Sequence, residues 1–95
     1  MHAVFLEVDT NGADMDAARA NLEQNVVPRL RERGAVAAYW LGEVSKGRRV
    51  AFMIFEDEAA AKQQASEVTV GETPVGAPPG IKIRTVQVTE VVANL

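Results

Sequence analysis

The most constraining feature of this sequence is a hairpin whose two strands are apolar on both sides. Residues 35–44 and 48–56 are rich in β-branched, aromatic and other apolar side chains, and only Ser45-Lys46-Gly47 separates them. A glycine in a three-residue loop can take the left-handed position of a bulged hairpin turn. Because successive side chains of a strand point to opposite faces, both faces of this hairpin need a cover.

A regular register can be drawn from the hairpin loop. Pairing Val44 with Arg48 sets Trp40 opposite Phe52 and places Tyr39 on the other face of the hairpin. We therefore expect Trp40 and Phe52 to share one environment, with Tyr39 in another.

The remaining segments predict the element order β-α-β-β-α-β. A β-rich run covers residues 2–9, and an apolar stripe at helical spacing predicts a first helix over about 14–33, capped by Asp14. Strong helix formers behind acidic residues predict a second helix over about 57–67. Residues 71–80 hold three glycines and three prolines and indicate a loop, and residues 81–92 alternate as in a last strand.

Pro28 lies inside the first predicted helix. It has no N–H to donate to the carbonyl of Gln24, and its ring disfavours helical backbone at the residue before it. We therefore expect a kink or a break near Val26-Val27.

This order predicts one α+β domain over residues 1–95, with a ferredoxin-like fold and a four-stranded antiparallel sheet. Right-handed crossovers put both helices on the same side of such a sheet, so the other face stays uncovered. Yet residues 50–55 and 3–6 are apolar throughout. Each large apolar side chain gains roughly 1.5–3 kcal/mol on burial, and an apolar face left in water favours aggregation. We therefore predict a homodimer through the sheet face.

Composition narrows the partners and the compartment. A net charge of −3 and a pI of about 5.1 give no general attraction to nucleic acid, so none is expected as a partner. The chain has no cysteine, and its longest apolar run, Ala35–Leu41, is seven residues, well short of the roughly 20 that a membrane helix needs. The first residues lack the basic segment of a signal peptide. We expect a cytoplasmic protein that does not enter membranes.

The whole chain resembles the dimeric α/β-barrel superfamily, which includes small proteins similar to antibiotic-biosynthesis monooxygenases. The resemblance is carried by Val26–Leu30 running into Gly34, by the strand that bears Tyr39 and Trp40, by the strand-to-helix junction Phe55–Ala60, and by the valine-rich last strand. It implies a dimeric barrel. Members of the superfamily include cofactor-independent oxygenases of aromatic polyketides, haem-degrading enzymes, isomerases and proteins with no assigned activity.

The resemblance also implies a pocket between sheet and helices, lined in the oxygenases by Asn, Trp, Arg or Tyr side chains. Of the aromatic residues, Tyr39, Trp40 and Phe52 could line a cavity for an aromatic ligand, or they could be core and interface residues. The first strand offers Glu7 and no Asn, so no catalytic residue can be identified. No histidine is placed as a haem ligand, and we expect no cofactor and no metal.

Three other motifs have two interpretations each. His2, the single histidine, could transfer protons at the mouth of a pocket or be a strand-end side chain. The acidic run 9–16 is similar to a calcium loop but has Asp14 where that loop requires glycine, which favours a turn and a helix cap. The segment Lys46–Arg49 could bind an anion or form a solvated hairpin end, with Arg48 and Arg49 on opposite faces.

Two functions follow from these residues. The first is a non-catalytic dimeric module that binds a small hydrophobic molecule or supports an assembly, and the shortage of convergent polar groups favours it. The second is a cofactor-independent monooxygenase or isomerase acting on a small aromatic or polyketide-like substrate. The enzyme needs a cavity on the order of 300 Å³ or more, whereas a module without a ligand has a core that is packed shut.

Overall fold

A computed structural model describes all 95 residues, Met1–Leu95, and confirms the predicted α+β class with a four-stranded antiparallel sheet. The strands are β1 (His2–Asp9), β2 (Ala35–Ser45), β3 (Arg48–Phe55) and β4 (Lys82–Glu90), in the spatial order β2-β3-β1-β4. The helices are α1 (Met15–Asn21), α2 (Val27–Glu32), which follows α1 through a π-helical turn at Leu22–Val26, and α3 (Glu58–Ser66). This arrangement is compatible with a ferredoxin-like fold. None of the helices is both long and apolar enough to cross a membrane.

Aspartates fix where two helices begin. The Asp14 carboxylate accepts hydrogen bonds from the backbone N–H groups of Asp16 and Ala17, both at 3.0 Å, as the sequence predicts. Asp57 caps α3 in the same way, through the N–H of Ala59. Each cap satisfies N–H groups that have no partner inside the first helical turn.

The predicted disruption near Val26-Val27 is confirmed, and it takes the form of the π turn. The N–H of Val27 donates to the carbonyl of Leu22, five residues back, and Pro28 then stands in the first turn of α2. Proline is tolerated in a first turn, where its missing N–H has no helical partner to lose. One wider turn therefore lets the helix pass Pro28 without ending.

The core lies on one side of the sheet. Phe55 and Val4 are the most deeply buried large side chains, and they pack with other sheet residues against Leu30 of α2 and Ala61 of α3. α2 packs on β2, and α3 packs on β1, β3 and β4. In contrast, α1 and the π turn have no Cα atom within 8 Å of any strand, and only Val26 at the end of the turn packs against the core.

The pairing of β2 with β3 differs from the predicted register. Trp40 lies opposite Ala51, and Tyr39 lies opposite Phe52. The register is irregular on both sides of Glu43, because extra residues there shift the central pairs by one position. A shift of one residue exchanges the faces of a strand. Trp40 therefore points toward the helices, and it does not share a face with Phe52.

One arginine joins the ends of α2 and α3. Nη1 of Arg33 donates to Oε1 of Gln64 at 2.7 Å and forms an ion pair with the Glu67 carboxylate. The hydrogen bond from Arg33 lowers the pKa of Glu67, and this effect exceeds the opposing effect of burial. The ionised carboxylate thus contributes to the folded state.

We expect this contribution to depend on pH in one direction. Because the pKa of Glu67 is lower in the folded chain than in the unfolded chain, its stabilisation is present at neutral pH and is lost as the pH falls below the ordinary glutamate value of about 4.3. Glu67→Gln should lower the urea midpoint at pH 7 and leave it close to the native midpoint near pH 2. Glu32→Gln, at an exposed position without an ion pair, is the control. A Glu67→Gln deficit of equal size at both pH values would contradict this account.

Candidate functional site

A cavity of about 870 Å³ lies between the sheet and the part of the first helix that stands off it. Its floor includes Trp40, Ala51 and Met53 of the sheet, and its roof includes Ala18 and Leu22. Most of the lining is apolar, and the volume falls within the range of about 300–1,000 Å³ that is typical of small-molecule sites. The helical layer is therefore not packed shut on the sheet.

Two structural features account for this space. The side chains that face it from α1 and β3 include the small residues Ala18 and Ala51, both buried. The loop that leads into β4 then closes one side, with Pro74 and Ala77 in the wall. This loop contacts the helix at Gly76, where a Cβ atom would lie 2.8 Å from Oδ1 of Asn21. Gly76 has a φ of +82°, which also favours glycine.

The structure separates the three aromatic residues that the sequence predicts for a ligand site. Trp40, the only tryptophan of the chain, is half-buried and lines the cavity. Tyr39, which is 60% exposed, pairs with Phe52 on the opposite side of the sheet. The structure therefore brings Tyr39 and Phe52 together on the other side of the sheet, and of the three residues only Trp40 lines the cavity.

Charged side chains stand around the apolar lining. Nε of Arg19 donates a hydrogen bond to Oε1 of Glu23 at 2.9 Å. Glu67 of the lining forms an ion pair with Arg33, which is not itself a lining residue. Two further arginines, Arg29 and Arg49, line the cavity and form no ion pair within the chain. The sequence left two roles open for the hairpin arginines, an anion site or a solvated hairpin end. The alternation of side chains along β3 already predicts that Arg48 and Arg49 point to opposite faces, so that one of them faces the helices.

The face of the sheet away from the helices, here called the open face, has an aromatic centre. The rings of Phe5 and Phe52 lie with centroids 5.5 Å apart and planes tilted by 53°, a favourable aromatic pair. Val50, Ile54 and Tyr39 extend this apolar surface along β3 and onto β2. No element of the chain packs over it, because the helices contact only the other side.

One end of the open face is polar. Glu7 lies 3.6 Å from Nε of Arg48 and 3.9 Å from Nε of Arg84, measured from its nearest carboxylate oxygen in each case. Asp9 also pairs with Arg84, at 3.4 Å, and the hydroxyl of Thr85 donates to Glu7. Opposite charges thus alternate beside the aromatic centre.

His2 lies outside the cavity. Its Nε2 atom is 2.8 Å from Oε2 of Glu58, and Nζ of Lys62 is 2.8 Å from the other oxygen of the same carboxylate. Lys62, and to a smaller degree His2, lower the pKa of Glu58. The imidazole therefore joins the end of β1 to α3, which fits the strand-end interpretation.

The acidic run that is similar to a calcium loop is divided between two roles. Asp9 pairs with Arg84 on the sheet, and Asp14 caps α1. Nowhere in the 95 residues do three or more His, Asp or Glu side chains gather in a way that could hold a metal ion.

No known family model, curated protein or solved structure matches the chain. The functional assignment therefore depends on the cavity and on the open face.

Proposed function

We propose that this protein is a homodimeric module of the dimeric α/β-barrel type that binds one small hydrophobic or aromatic molecule per chain. The observation that carries the proposal is the apolar cavity of about 870 Å³ between the sheet and α1. Apolar walls of this kind gain free energy when a ligand replaces water, because apolar surface is removed from the solvent. The superfamily resemblance noted from the sequence implies a ligand pocket between sheet and helices, which agrees with this proposal.

Binding without turnover fits the placement of the reactive side chains better than catalysis does. Tyr39, a predicted lining residue, lies on the open face, and His2, a possible proton-transfer group, lies beside α3, so neither reaches the cavity. Trp40 supplies a ring for stacking and one N–H donor, which suits recognition of a ligand. No arrangement of polar side chains in the cavity specifically favours the alternative, a monooxygenase or an isomerase.

The proposed dimer uses the open face, with a second copy of the chain as its cover. Phe5, Phe52 and Tyr39 form an apolar centre that no element of the same chain covers. The adjoining polar end carries both signs of charge, through Glu7 and Arg48 among others. A two-fold contact brings the same patch of both copies together, so a surface that mixes both signs can pair with itself.

Ligand binding can be measured through Trp40, since it is the only tryptophan and lines the cavity. We expect naphthalene-2-carboxamide, a neutral aromatic probe, to quench the Trp40 emission to saturation at one molecule per chain. Ala18→Leu adds bulk to the cavity roof and should weaken the binding at least about tenfold. Ala17→Leu changes the neighbouring exposed residue and should not alter it. Equal affinity in the two variants, or no saturable quenching, would count against a ligand site here.

Association can be measured by light scattering at micromolar concentration. We expect a mass twice the 10.2 kDa of one chain. Phe52→Glu places a charge in the aromatic centre and should give monomers, because a buried charge without a partner is strongly unfavourable. Val70→Glu adds the same charge at an exposed position outside the sheet and should leave the dimer intact. A native chain that stays monomeric would rule out the proposed interface.

A further inference from the structure

Arg49 is the one cation that the sheet presents to the cavity. It lies opposite Val8 of β1, and both residues line the cavity, so its side chain points toward the helices. Its Nε atom is buried and has no hydrogen-bond partner in the chain. Glu43 is its neighbour in the register of β2, yet the two side chains form no salt bridge. The guanidinium therefore stands at the cavity wall without a counter-charge.

The adjacent arginine shows the contrast. Arg48 points to the open face. Its Nε is also buried and makes no hydrogen bond, but it lies 3.6 Å from the carboxylate of Glu7, within ion-pair distance. The chain thus supplies an anion for one arginine of the pair and none for the other. A guanidinium keeps its charge at all ordinary pH values, so an arginine without a counter-charge in its own chain remains free to pair with an anion. Of the two adjacent arginines, Arg49 is therefore the one whose charge has no anion within the chain.

The other charges of the cavity do not supply that partner. Among the acids of the lining, Glu23 and Glu67 are already held by Arg19 and Arg33. Asp16, the third, stands in the first turn of α1, where the helix dipole favours a negative charge. Arg29 adds a second cation without an ion pair. The unpaired charge of the lining is therefore positive on balance.

We infer that the ligand of this cavity carries a carboxylate, which pairs with Arg49 while the apolar body of the ligand lies against Trp40. This inference rests on the proposed ligand-binding function. The two Nη groups at the end of the guanidinium form a planar pair of donors, and the two oxygens of a carboxylate match that pair with two parallel hydrogen bonds. The ligand class is thus a small aromatic or aliphatic monocarboxylate.

Two probes of the same shape separate charge recognition from apolar binding. Naphthalene-2-carboxylate and naphthalene-2-carboxamide share ring and size and differ in charge at neutral pH. We expect the carboxylate to bind the native protein about tenfold more tightly than the amide. Arg49→Gln should abolish this preference, so that the two probes bind with equal affinity. Arg31→Gln, which removes an exposed arginine outside this cavity, should preserve the preference.

The outcomes distinguish the inference from the function on which it rests. If neither probe quenches Trp40, the proposed ligand site itself fails. If both probes bind equally well, or if Arg49→Gln keeps the tenfold preference, the site stands and the assignment of the carboxylate to Arg49 is wrong. Thermal unfolding establishes that each variant is folded. Should Arg49→Gln not fold, Arg49→Lys retains the charge without the planar pair of donors, and a preference reduced several-fold is then expected.

Discussion

The pairing of β3 with its two neighbours determines where every side chain of functional interest points. Irregular pairing around Glu43 moves Trp40 to the helix side and leaves Tyr39 on the open face. The same alternation sends Arg49 to the cavity and Arg48 to the open face. Because one position of slip exchanges the two faces of a strand, the bulges of β2 decide the sides of Trp40 and Tyr39, and the regular pairing of β3 with β1 decides those of Arg48 and Arg49.

The cavity exists because only part of the helical layer rests on the sheet. α2 and α3 each pack on the sheet, and Arg33 joins their ends. α1 stands off the sheet, and the π turn lies where the contact with the sheet ends. Pro28 cannot donate the usual backbone hydrogen bond, and the π turn before it lets the helix continue with one wider turn. Close approach of the loop at Gly76 then closes one side of the space.

Local physics explains what the sequence could predict. Element order, the Asp14 cap and the disruption before Pro28 depend on a few neighbouring residues, and the structure confirms them. The register of the hairpin could not be predicted, because residues 40–45 are compatible with regular and bulged pairing alike. The cavity depends on how far a helix stands from a sheet, which no local pattern encodes. Trp40 could be named as a possible lining residue from its residue type alone. For Arg49 the sequence could not decide between a ligand contact and a place at a solvated hairpin end.

Native mass spectrometry of protein purified without denaturation tests the central claim most directly, because one spectrum reports both the number of chains and any retained small molecule. The account predicts a dimer that carries a discrete added mass of up to one molecule per chain, with the added mass lost in Ala18→Leu. A bare monomer, under conditions that preserve known weak dimers, would contradict both the cover on the open face and the occupied cavity.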